Sequence, residues 1–136
     1  MAENPKADDP SIPDDSYVLR RIPPSEVTAD CDSGWKPRPK SSNFADNREK
    51  GPVSIVLSCL LRKAERNDQD VLSGHPGFFL VRIPVRIIRA LGLDVVASPT
   101  SAEPAHGLIV GTKTTSIRKK LARAAEWIVS PPEEKG

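Results

Sequence analysis

Aromatic side chains are scarce: one Tyr, two Trp and three Phe among 136 residues. A core must therefore come from Leu, Ile, Val and Ala. The aromatic-plus-basic sheet of an RRM is also excluded, because Phe78-Phe79 lacks the flanking Gly and basic residues of that motif. Cysteine is equally rare, and Cys31 and Cys59 make no disulfide framework. With His75 and His106 they are spaced 28, 16 and 31 positions apart. No close ligand pair exists, so neither a metal nor another cofactor is expected. The longest apolar run is residues 78–81, far short of a membrane span. The polar, acidic start MAENPKADDPSIPDD has none of the apolar stretch of a secretory signal. These absences predict a reduced, cytoplasmic chain without a membrane partner.

Proline and segregated charge are abundant. Seven of the 14 prolines fall between Pro5 and Pro39. The formal charge of +2 conceals a net −5 over residues 1–34 and +7 over the rest. A basic body attracts phosphate or nucleic acid, and an acidic tail is able to fold back and screen it. Residues 1–15 are expected to be a disordered acidic tail. A single domain is expected over 16–130, with a long loop at about 29–52 and a flexible C-terminus at 131–136.

Within that domain, residues 17–22 read as a strand ended by Pro23-Pro24. Residues 53–57 read as a strand or the start of a helix. The spacing of Val56, Leu57, Leu60, Leu61 and Ala64 predicts a helix continuing toward Leu72. Residues 78–83 read as a buried strand and 85–91 as a helix behind Pro84 with Gly92 past its end. Residues 94–97 and 105–110 read as strands. The strongest helical pattern is 116–129, where Ile117, Leu121, Ala124, Ala125 and Ile128 share a face. The order predicts a small α/β or α+β domain, a single-layer mixed sheet packed by two to three helices.

One corner stands out chemically. Gly111-Thr112-Lys113-Thr114-Thr115-Ser116 follows a strand and opens a helix, where free N–H groups favour anions. Thr114 and Thr115 suit a cap or a phosphate contact. Lys113, Arg118 and Lys119 crowd the same end, which is unfavourable unless an anion or carboxylate compensates. The spacing is not that of a P-loop, and an ordinary cap with a solvated basic face remains the alternative. His75 and His106 sit near turns at strand edges. If those strands are neighbours, both reach one phosphate as acid–base groups; otherwise each bonds backbone at its turn.

Arg20 and Arg21, adjacent on a strand, point to opposite faces, and Arg20 is a candidate catalytic or electrostatic group. An arginine strand followed by a strand bearing Ser54 and Ser58 resembles the start of the ADP-ribosyltransferase pattern, which implies Glu103 as its acidic residue. The basic, extended stretch from Trp35 to Lys40 suits a partner protein or a nucleic acid. At the whole-chain scale, YVLRRIPP, SSNF, HPGFFLVR, PAHGLIVG and KTTSI resemble a group of short bacterial proteins without assigned function. That resemblance implies a self-contained unit and no activity. The expected function is binding of a nucleotide or nucleic-acid backbone at a basic cleft, with no reaction assigned. The alternatives are a protein-interaction or regulatory module and an ADP-ribosyltransferase-like enzyme.

Overall fold

A computed structural model describes residues 8–29, 34, 36–47 and 51–131. Cys31 and Trp35 lie outside them. Six strands form one sheet: β1 (Tyr17–Ile22), β4 (Val53–Leu57), β5 (Phe79–Pro84), β6 (Asp94–Ala97), β7 (His106–Val110) and β8 (Glu126–Val129), in the order β6-β7-β4-β1-β5-β8. A small hairpin pairs β2 (Val27–Ala29) with β3 (Pro37–Pro39). The helices are α1 (Ser58–Lys63), α2 (Val85–Ala90) and α3 (Thr115–Ala124). The expected α+β architecture is present. Its strand directions are not mixed, since every ladder among the described residues is antiparallel.

Register assigns each side chain to a face, because directly paired residues point the same way. Val18, Leu57, Ile83, Ile109 and Val95 share one face and pack against Val85 and Ile88 of α2 and Leu121 and Ala122 of α3. Phe44, from a 3-10 turn at Ser41–Phe44, is fully buried in this layer. Leu19, Val56 and Leu80 face the other way, under Leu61 of α1 and Val71 of a second 3-10 turn, Asp68–Leu72. Arg20 and Arg21 accordingly diverge to the two faces.

Local chemistry explains most boundaries. Helix α2 ends in a Schellman arrangement: Gly92 at φ 82 donates to Arg89 O (2.9 Å) and Leu93 to Ile88 O (3.3 Å). Helix α1 is shorter than its spacing predicts. It stops at Lys63, and Glu65 then takes a left-handed φ of 56. The expected loop over 29–52 contains structure, namely β3, the Ser41–Phe44 turn and an Asn47–Gly51 bridge.

Two expectations are corrected. The helix expected over 116–129 ends at Ala124, and its last residues are β8. The Glu-Trp-Ile-Val segment is rich in β-formers, and pairing with β5 outweighs continuation of the helical period. Residues 8–15, expected within a disordered tail, are anchored. Ile12 is 3% exposed in the core, a burial worth roughly 2 kcal/mol. Arg89 binds Asp8 (Nε–Oδ1 3.0 Å), Asp14 (Nη1–Oδ1 2.5 Å) and the Asp9 carbonyl (2.9 Å). No helix among the described residues is long and apolar enough to cross a membrane.

Candidate functional site

The corner at the start of α3 is satisfied from within. Thr114 caps the helix, its Oγ1 accepting from the Ile117 amide at 3.2 Å. Lys113 folds back: its ammonium donates to Gly111 O (3.0 Å) and pairs with Asp46 Oδ1 (2.7 Å), and its side chain is 2% exposed. The compensating carboxylate for this crowded helix end is therefore Asp46, which also accepts from the Val53 amide. Arg118 donates from Nη2 to Thr115 Oγ1 (3.0 Å), while its shielded Nε has no hydrogen-bond partner.

Lys119 points elsewhere, into a groove of about 280 Å³ between the β2–β3 hairpin and α3. Its walls are Thr28, Arg38, Pro39 and Ser41 on one side and Lys119, Ala122 and Arg123 on the other. Thr28 and Arg38 are directly paired across the hairpin, so both side chains project to the same face. Lys119 and Arg123 are four residues apart on α3 and present one stripe. Neither has an ion-pair or hydrogen-bond partner among the described residues. Among the described residues no acidic side chain lines the groove. The hairpin is held in place by the Trp127 indole, which donates to Pro37 O at 2.9 Å, and by the Lys40 amide, which donates to Glu26 O.

The histidines are not brought together. His106 lies on β7 and His75 just before β5, and β4 and β1 run between those strands, a separation of about 14 Å at ordinary strand spacing. His106 Nδ1 sits 2.7 Å from Ser98 O. A carbonyl only accepts, so Nδ1 carries a proton. His75 tilts against Phe78 with ring centroids 5.3 Å apart. Burial lowers its pKa, and the Arg21 charge adds in the same direction. Neither imidazole lines the basic groove.

Arg20 is a clamp on the loop over its face. It donates to Asn43 Oδ1 (2.7 Å), Asn43 O (2.9 Å) and Ser54 O (2.6 Å). Desolvation, followed by the Arg21 charge, lowers its pKa to about 10. Glu103 forms a bidentate pair with Arg66 (2.6 and 2.8 Å) and accepts from the Ala105 amide. The Arg66 hydrogen bond holds its carboxyl below the usual range. Of the ADP-ribosyltransferase-like trio, Arg20 thus engages the main chain of Ser54, and Glu103 is committed to Arg66. No group of three His, Cys, Asp or Glu suited to a metal ion occurs among the described residues.

Sequence reasoning singled out Lys119 and, within the stretch from Trp35 to Lys40, Arg38; it did not single out Thr28, Ser41 or Arg123. The four-residue spacing of Lys119 and Arg123 was the available signal. No family model matches this chain, and no curated protein or solved structure is significantly similar to it.

Proposed function

We propose that the protein binds a phosphate-bearing ligand, a nucleotide or a nucleic-acid backbone, in the groove between α3 and the β2–β3 hairpin. The carrying observation is the lining itself: among the described residues, Arg38, Lys119 and Arg123 converge on one concavity with two hydroxyl-bearing residues and no acid. The Arg123 guanidinium fork offers bidentate donors to phosphate oxygens, and the Lys119 ammonium adds a mobile point charge. Arg123 occupies the last turn of its helix, where a cation is favourable without a ligand, and Lys119 stands at mid-helix, beyond the first turn where the positive end of the helix acts most strongly. The groove is thus populated by charge that costs the fold little. The reading assigns binding and no reaction.

The test is fluorescence anisotropy of a labelled short oligonucleotide against the wild type and the Lys119→Ala/Arg123→Ala variant. Both residues are exposed on a helix that accepts Ala readily, so the melting temperature is expected to hold. Affinity is expected to fall, and the slope of log K against log salt to shrink by about 2, roughly one per lost phosphate contact. An unchanged affinity and slope rejects the groove. A thermal shift by mononucleotides that survives moderate salt assigns the ligand as a nucleotide; a shift by oligonucleotides alone, lost as salt rises, assigns the backbone.

A further inference from the structure

The two edges of the sheet are treated differently. At β6 the chain covers its own edge: the Asp9 amide donates to Val95 O (3.0 Å), and Asp8 Oδ1 accepts from the Val95 amide (3.0 Å). At the opposite edge, β8 pairs on one side only among the described residues, with β5. The strand Glu126–Val129 contains no proline or lysine, and Trp127, Ile128 and Val129 are only half-buried. These are the features that leave an edge open to another strand.

Beside this edge, on the face away from the basic groove, runs a concavity of about 730 Å³. Ile128 of β8 contributes to it, and the segment from Arg62 to Asp70 forms the rest. Its positive charges are spent internally: Arg62 pairs with Asp68 at 2.6 Å and Arg66 with Glu103 at 2.6 Å. Its uncommitted charge is acidic. The Glu65 side chain has no partner among the described residues and is exposed on a left-handed backbone; Asp70, among those residues, accepts from the Asn67 amide and lies close enough to Arg66 to favour its charged form. A strand added to β8 sends alternate side chains, about 7 Å apart, to this face.

We propose that β8 receives an extended peptide of a partner protein as a seventh strand. The peptide's main chain pairs with the β8 edge, and its alternate Lys or Arg side chains enter the groove beside Glu65, Asp70 and Ile128. This is β-strand addition, with affinity from backbone hydrogen bonds and selectivity from alternate side chains. It uses a different face and different residues from the phosphate groove, so each reading stands or fails separately.

The probe is a fluorescein-labelled peptide of alternating Lys and Val, capped at both ends. It is expected to bind the full chain and to slow amide exchange at Trp127 to Val129. Replacing its Lys by Glu, or N-methylating alternate amides, is expected to weaken binding by about tenfold or more. Glu65→Lys, at an exposed position, is expected to weaken it several-fold with an unchanged melting temperature. Absence of binding, equal binding of the N-methylated peptide, or binding without protection of the β8 amides overturns the proposal. So does sedimentation showing a dimer whose β8 amides are protected without peptide, which gives the edge to a second copy.

Discussion

Glu103 shows how one side chain joins separate parts of the chain. It receives two hydrogen bonds from Arg66, 37 residues away, and one from the Ala105 amide. Its pKa is lowered in the folded state, chiefly by the Arg66 hydrogen bond. A depressed carboxylate contributes stability that is present above its unfolded pKa and lost as pH falls through the folded one. Wild-type stability is therefore expected to drop below the usual glutamate range, and Glu103→Gln to flatten that acid limb. At neutral pH the variant is expected to lose roughly 1–2 kcal/mol, the scale of a charge-assisted hydrogen bond. Denaturant melts from pH 3 to 7 read both; identical pH profiles for the two proteins would contradict the assignment.

Among the elements, β7 is tightly constrained by its neighbours at one position. Gly107 pairs with Ile55 on one side and Ala97 on the other. A Cβ there would lie 2.7 Å from Val96 O, 2.9 Å from Ile55 Cδ1 and 3.0 Å from Leu57 Cγ. The first of these is backbone of an adjacent strand and cannot swing aside. Gly107→Ala is expected to cost about 1–3 kcal/mol through overpacking, measured by urea unfolding. A variant as stable as wild type would show that β6 moves freely against β7. Elements also show where pattern reading succeeds. The strands at 17–22 and 94–97 and helix α2 were legible, since proline, glycine and short apolar alternation are local signals. The end of α3 was not, because Ala125 and Ile128 continue a helical face while Trp127 to Val129 equally suit a strand.

Across the whole molecule, charge is partitioned rather than pooled. The acidic segment at 8–16 does not screen the basic groove; it is spent on Arg89 and the β6 edge, while Lys119 and Arg123 keep their charge uncompensated among the described residues. Arg89→Ala removes three hydrogen bonds that hold this segment and is expected to cost roughly 1–2 kcal/mol. The Val95 amide, which donates to Asp8 Oδ1, is expected to exchange faster, and residues 8–16 to become sensitive to proteases. Unaltered exchange at Val95 would mean that Ile12 alone anchors the segment.

The amino-acid sequence by itself determined a small domain of helices and strands, α/β or α+β, with its main strands, the capped start of α3 and the basic character of the body. Those features follow from local sterics, side-chain period and composition. Only the tertiary structure decided that Asp46 neutralises Lys113, that Arg38 faces Lys119 and Arg123, that Arg89 ties down Asp8 and Asp14, and that the last turns of an apparent helix become an edge strand. Each of these joins residues far apart in the chain or sets one packing against another. Their energies depend on which surfaces meet, and local periodicity carries no record of that.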